Sequence, residues 1–130
     1  MDFYEVRYDD KAESELEFCK KMYKNHAINI KNMNTVKSVI LDISGGGIRF
    51  SLSTPLEEGT YFMAQFSLAL EECTQQFNIV CKVINCTQSL DYADRYFARS
   101  KFIFDRMTER EKIVRFVFEE ERRIRRREME

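Results

Sequence analysis

The stretch Leu41–Phe50 reads Leu-Asp-Ile-Ser-Gly-Gly-Gly-Ile-Arg-Phe and decides the fold class. Apolar and polar residues alternate on both sides of three consecutive glycines, a pattern that predicts two antiparallel strands joined by a tight turn. Alternate side chains of a strand share one face of a sheet. We therefore expect Val39, Leu41 and Ile43 to point toward a hydrophobic core.

Two polar side chains, Asp42 and Ser44, are expected on the opposite face of that strand, next to the glycines. An aspartate offers acceptor oxygens for the N–H edge of a nucleobase, and a serine offers a hydroxyl. Gly46 and Gly47 leave backbone N–H groups open to a ligand, because glycine has no Cβ atom. The pattern predicts either a ligand site or a very compact turn.

Strand chemistry extends through most of the chain. β-Branched and aromatic residues, often alternating with polar ones, fill six stretches that are separated by turn signals. Six short antiparallel strands close most readily into a small barrel, so we predict a mainly β fold with a six-stranded antiparallel barrel. The predicted strands are residues 26–31, 35–43, 48–53, 60–69, 76–87 and 96–104.

Near the end of the chain the spacing of apolar residues changes from that of a strand to that of a helix. Ile113, Phe116, Val117 and Ile124 recur at spacings typical of an amphipathic helix, which we place at residues 107–127 and expect to pack on the barrel. Beyond Phe118 nearly every residue is charged, and glutamates precede arginines by four positions, as in a solvated, self-paired helix. Ile124 is the large apolar residue among these charges, so this helix is also a candidate contact between protomers of a homo-oligomer.

Length and composition limit the alternatives. A chain of 130 residues with 44% hydrophobic residues fits one domain with a real core. The sequence has no apolar run long enough to cross a membrane and its acidic start is unlike a secretion signal, so we expect a cytoplasmic protein without membrane insertion. The four cysteines form no Cys-x-x-Cys pair and His26 is the single histidine, so we expect free thiols and no metal site.

The sequence lacks the usual patterns of catalysis and of nucleic-acid binding. It has no convincing Ser-His-Asp or Cys-His set and no Walker-type phosphate loop, so we expect no enzymatic activity. Residues 119–130 carry five acids against five arginines. This neutral balance argues against a nucleic-acid partner.

Positive charge is concentrated before the glycine turn. Residues 1–18 carry seven acidic and two basic side chains, whereas residues 19–37 carry five lysines, one histidine and no acid. Such a basic block either attracts an anionic ligand or forms a solvated surface that balances the acidic segment.

Three motifs resemble those of one protein family. The residues Asp42-x-Ser44-x-x-Gly47 look like the second signature of PilZ domains, the bacterial receptors for cyclic di-GMP. Pro55-Leu56-Glu57-Glu58-Gly59 resembles the link that joins two strands in that family. Lys20-Lys21-Met22-Tyr23-Lys24 is similar to the Arg-Arg-x-x-Arg motif of the family, including flagellar-brake-type proteins, with lysine in place of each arginine. Lysine keeps the charge but loses the bidentate grip of arginine on phosphate.

The resemblance implies an architecture and a function. It divides the chain into an N-terminal arm or linker, residues 1–18, and a PilZ-like domain, residues 19–130. It implies a non-enzymatic effector that binds cyclic di-GMP and transmits the level of this second messenger to a protein partner, in the control of motility, the surface or exopolysaccharide. The implied site consists of Lys20, Lys21, Lys24, Asp42, Ser44, Gly46 and Gly47.

A second interpretation belongs to another class of protein. In it, the chain is an adaptor that keeps the PilZ fold, does not bind cyclic di-GMP and works through protein contacts. The intact glycine turn favours the effector, and the missing arginines favour the adaptor.

Overall fold

The computed structural model describes residues 1–129. Within this range the elements are β1 (Asp2–Val6), α1 (Glu15–Asn32), β2 (Val36–Lys37), β3 (Val39–Ile43), β4 (Gly47–Leu52), β5 (Tyr61–Ala69), β6 (Thr74–Gln88), β7 (Tyr96–Ile103) and α2 (Met107–Met129). The predictions of a mainly β chain and of a C-terminal helix from residue 107 are confirmed.

The strands form one antiparallel sheet in the order β2-β1-β5-β6-β7-β4-β3. The predicted six-stranded barrel is wrong in two respects, because residues 1–129 contribute seven strands and the sheet is not closed into a barrel. The predicted strand 35–43 is divided at Ser38, whose backbone N–H donates to the carbonyl oxygen of Met1 (2.8 Å). Its first part pairs with β1 and its second part with β4. Because only Ser38 separates the two edge strands, the sheet must be strongly curled.

β1 lies inside the sheet, between β2 and β5. Phe3 and Tyr4 of β1 are each 1% exposed and belong to two different core clusters, one on each face of the sheet. Burial of two large aromatic rings holds this strand in place. The division of the chain after residue 18 stays a prediction, and Asp2–Val6 within the first segment form a strand inside the sheet.

The main core fills the inner face of the curled sheet. Alternate residues of the long strands point into it, and Ile113 of α2 packs against them at 0% exposure. The helix α2 therefore holds to the sheet through its first half, whereas residues 121–129 are all exposed. The inward-facing strand residues include Ile48, Phe50, Leu52, Phe62, Ala64, Phe66, Phe77, Ile79, Cys81, Val83 and Ala98.

The helix α1 covers part of the outer face. It begins after Ser14, whose hydroxyl accepts from the backbone N–H of Glu17 (3.2 Å) as an N-cap. Phe18, Cys19 and Met22 pack on a second cluster with outward side chains of β1, β5 and β6. The phenol of Tyr23 donates to the carbonyl oxygen of Ile103 (2.6 Å) and accepts from the N–H of Val80 (3.0 Å), which fixes the helix to two strands.

Residues 26–31, which we predicted as a strand, are the second half of α1. The short alternation of polar and apolar residues there is compatible with either structure. The burial of Cys19 and Met22 and the packing of Ile30 against the same cluster show the spacing of a helix. The strand prediction for residues 26–31 is therefore wrong, because the helix that packs through Cys19 and Met22 continues through these residues to Asn32.

Candidate functional site

The glycine turn joins β3 to β4 as a hairpin. The backbone N–H of Ser44 donates to the carbonyl oxygen of Gly47 (2.9 Å). The Ser44 hydroxyl donates to the same oxygen (3.4 Å) and accepts from the N–H of Gly46 (3.3 Å). Ser44 therefore shapes the turn, and one acceptor lone pair of its hydroxyl remains for a ligand.

A β-bulge in β3 decides which side chains face solvent. The register with β4 shifts between Ile40 and Asp42, which leaves Leu41 as the extra residue. Ile40 and Ile43 pack against the main core, whereas Val39 is 59% and Leu41 is 45% exposed. The prediction that Val39 and Leu41 face the core is wrong, because the bulge interrupts the alternation of the strand.

Three charged side chains follow one another across β3, β4 and β7. Asp42 is directly opposite Arg49, with 4.0 Å between the carboxylate Oδ2 and the guanidinium Nε, and both side chains are more than half exposed. Arg49 is in turn directly opposite Arg99 of β7. Like charges at directly opposed positions destabilise a sheet. An anion between the two guanidinium groups would relieve this repulsion and accept charge-assisted hydrogen bonds.

These residues line an open cavity of about 630 Å³. Volume does not single it out, because a cavity beside Glu5 and Tyr61 measures about 650 Å³. The cavity beside the glycine turn is distinguished by its chemistry, because two guanidinium groups, one carboxylate, glycine backbone and the half-exposed Ile84 meet there. Small-molecule sites combine apolar surface with a few polar groups in the same way. The lining residues are Asp42, Ile43, Ser44, Gly46, Gly47, Ile48, Arg49, Ile84, Arg99 and Ser100.

The glycines of the turn have different surroundings. A Cβ atom on Gly47 would overlap the carbonyl oxygen of Ser100 and lie 3.1 Å from the Cα of Lys101. A Cβ atom on Gly45 would lie 2.7 Å from a methyl group of Val114 in α2. At Gly46 the nearest atom would be the Ser44 hydroxyl oxygen at 3.9 Å. Gly47 is therefore required by packing, and Gly46 leaves open space on the side of the cavity.

The structure places the basic half of the predicted site elsewhere. Lys20, Lys21 and Lys24 are exposed residues of α1 and do not line the cavity. The helix packs over β1, β5 and β6, whereas the cavity lies mainly over β3, β4 and β7. The structure thus brings together Asp42, Ser44, Gly46 and Gly47, and it does not bring the three lysines to them.

The two arginines of the cavity were missed by sequence reasoning. A signal existed for Arg49, because it alternates with the inward-facing Ile48 and Phe50 and so had to face outward beside the turn. No such signal existed for Arg99, which reaches the site through the pairing of β4 with β7, about fifty residues apart in the chain.

Two other features are absent from residues 1–129, a metal-binding cluster and a membrane-spanning helix. No group of three or more His, Cys, Asp or Glu side chains in this range is arranged to hold a metal ion. No helix of the same range is long and apolar enough to cross a membrane.

Comparison with known proteins identifies the family. The family model described as "PilZ domain" matches residues 20–119, more than half of the 130-residue chain. The chain belongs to the PilZ domain family, and the resemblance read from its glycine turn is confirmed. Searches of curated proteins and of solved structures gave no significant match.

Proposed function

We propose that this chain is a non-enzymatic receptor that binds cyclic di-GMP in the cavity beside the glycine turn. One observation carries the proposal: Asp42, the turn backbone and the opposed Arg49 and Arg99 line the same open cavity. Cyclic di-GMP combines two guanine bases with two phosphates, so a site for it needs both a base reader and an anion grip.

The chemistry of the cavity matches these two needs. The N–H edge of guanine presents adjacent donors, and the exposed carboxylate of Asp42 offers two acceptor oxygens. The guanidinium groups of Arg49 and Arg99 can each donate paired hydrogen bonds to phosphate oxygens. Ile84, which is 47% exposed, adds an apolar surface for the flat face of a base.

The arginine pair offers an account of the lysine motif. In this proposal Arg49 of β4 and Arg99 of β7, on two neighbouring strands, bind the phosphates in place of the arginines of the family motif. Lys20, Lys21 and Lys24 lie on α1, outside the cavity. They could contact a ligand in the cavity, as predicted, only if α1 moved toward it.

One observation favours a second function, an adaptor that works through protein contacts without the nucleotide. The segment that should grip phosphate is a regular helix, fixed to the sheet by Tyr23 through Ile103 and Val80. A segment held in this way is not free to fold over a ligand. The adaptor would keep the turn as a structural hairpin only.

Isothermal titration calorimetry of the full chain with cyclic di-GMP tests the proposal. We expect saturable binding by the wild type and binding at least about tenfold weaker in Arg99→Ala, because a phosphate contact is lost. Arg106→Ala, an exposed arginine outside the cavity, is the matched control and should bind like the wild type. No heat at millimolar ligand would reject the receptor and favour the adaptor.

A further inference from the structure

The helix α2 presents an exposed stripe along its whole length. Met107, Val114 and Phe118 are 59%, 38% and 64% exposed, although each is apolar. Together with the exposed Glu111, Glu121 and Arg125 they recur at alternating spacings of four, three, four, three and four residues. This is the spacing of a seam between two paired helices. The opposite face of α2, with Ile113, is already used against the sheet.

Val114 and Glu121 of the stripe have no counterpart at the mirrored position, but two other pairs of residues on α2 lie symmetrically about Phe118. Met107 and Met129 lie eleven residues before and after it. Glu111 and Arg125 lie seven residues before and after it, and carry opposite charges. A two-fold axis through Phe118 therefore sets methionine against methionine and acid against base.

The charges of the stripe are available for such a contact. Ion pairs on other parts of α2 join Arg115 to Glu119 (3.1 Å) and Arg123 to Glu120 (2.7 Å). Glu111 and Arg125 have no ion-pair partner within residues 1–129. A two-fold axis through Phe118 would bring Glu111 of one chain opposite Arg125 of the other.

A groove borders the first half of the stripe. It has a volume of about 520 Å³ and runs along Glu111, Val114 and Phe118, with Glu71 of the β5–β6 turn on its other wall. Arg122 lies at the end of this groove, and residues 123–129 extend beyond it and are exposed. A helix that is polar all round is stabilised by ion pairs along its own surface or by contact with another element. In an antiparallel pair, the first half of α2 from a second chain would cover the exposed second half of this helix. The second half of that partner helix would in turn cover the first half of this one.

We propose that α2 pairs antiparallel with α2 of a second copy of this chain, with Phe118 on the two-fold axis. In this homodimer Phe118 contacts its own counterpart, and Glu111 of each chain pairs with Arg125 of the other. The proposal does not require cyclic di-GMP binding, and it uses no residue that lines the ligand cavity.

Sedimentation velocity of the full chain across a concentration series tests this pairing. We expect a species of twice the 15.6 kDa chain mass. Glu111→Arg and Arg125→Glu should each weaken self-association by about tenfold, because like charges then face each other. The double variant E111R/R125E restores both pairs of the symmetric dimer and should regain most of the wild-type affinity. Phe118→Asp should give a monomer.

Arg127→Glu is the matched control, since it makes the same change of charge on an exposed residue of α2 outside the stripe. It should leave self-association unchanged. Circular dichroism shows whether each variant stays folded, and the charge-swap rescue remains decisive even where Phe118→Asp unfolds. A wild type that stays monomeric at the highest concentration would overturn the proposal. Equal weakening by R125E and R127E, or no rescue by the double variant, would also overturn it.

Discussion

Gly47 of β4 lies against the main chain of Ser100 in β7 so closely that a Cβ atom would overlap the Ser100 carbonyl oxygen. The next pair in the same ladder joins Ile48 to Ser100, and the one after it joins Arg49 to Arg99. The close approach at Gly47 therefore sets the spacing of the strands that carry the two arginines of the cavity. Packing explains this glycine, and it does not require an unusual φ, since Gly59 has the positive φ among the glycines described.

Alanine substitutions should distinguish the glycine that packing requires, Gly47, from the glycine that has open space beside it, Gly46. Gly47→Ala must displace β4 from β7, and we expect a loss of about 3 kcal/mol in the free energy of unfolding, as in overpacked sites. Gly46→Ala has open space and a compatible φ, so we expect a change within about 1 kcal/mol. Urea denaturation of the two variants measures the difference. Equal stability of the two would show that the contact with Ser100 does not constrain the sheet.

Replacement of Asp42 should affect the ligand and not the fold. Its side chain is 69% exposed and its contact with Arg49 is long, so Asp42→Ala should change the free energy of unfolding by no more than about 0.5 kcal/mol. We expect cyclic di-GMP binding to be lost, because the base loses its acceptor oxygens. Asp91→Ala, an exposed acid outside the cavity, serves as the control in calorimetry and thermal unfolding. If Asp42→Ala unfolds the chain, Asp42 is a structural residue of the hairpin.

The lysines of α1 provide a test of the conformation that binds. In the structure Lys20 and Lys24 lie outside the cavity, so Lys20→Arg combined with Lys24→Arg should leave the affinity for cyclic di-GMP unchanged. A titration at low and at physiological salt compares the double variant with the wild type. Tighter binding by the double variant would mean that α1 moves onto the ligand, as the predicted lysine site requires.

His26 makes the stability of the chain dependent on pH. Its ring lies between Tyr4, whose hydroxyl is 2.7 Å from Nδ1, and Gln65, whose amide nitrogen is 3.1 Å from Nε2. Burial lowers the pKa of His26 below its usual value of 6.5, and a hydrogen bond with the Asn78 side chain opposes this shift in part. The folded chain therefore favours the neutral ring, which contacts groups of β1, β5 and β6.

The sign of this effect follows from proton linkage. Between the lowered pKa of the folded state and 6.5, the unfolded chain binds more protons, so stability rises with pH. We expect the full contribution of His26 above pH 6.5 and its loss as the pH falls below that value. Melting temperatures between pH 5 and pH 8 measure this, and His26→Gln should flatten the curve near pH 6.5, since the chain has one histidine. An unchanged curve in the variant would contradict the assignment.

Local pattern predicted the parts of the fold in which burial follows a strict period. The alternation of Ile48 with Phe50, and the helical spacing around Ile113, both correspond to core positions in the structure. The pattern gave the wrong burial, or none, where the burial of a residue depends on a local irregularity or on a strand far away in the chain. The bulge at Leu41 exposes a residue that alternation would bury, and the burial of Phe3 depends on strands far away in the chain.

The same distinction between local and long-range contacts applies to the candidate site. The turn with Asp42 and Ser44 is one hairpin, so six consecutive residues were enough to predict that these groups lie together. Arg99 joins them only because β7 pairs with β4, a long-range contact that no short motif encodes. Lys20 was assigned to the site by family resemblance, and the helix in which it lies depends on burial against β5 and β6.

Amide chemical-shift mapping by NMR during titration with cyclic di-GMP tests the central claim most directly. We predict saturable shifts concentrated at residues 42–49 and 99–101, with the amides of residues 20–24 in α1 changing little. The same titration of Arg99→Ala should show weaker and smaller shifts at the same residues. An absence of shifts at millimolar ligand, or shifts confined to α1 and α2, would contradict the account.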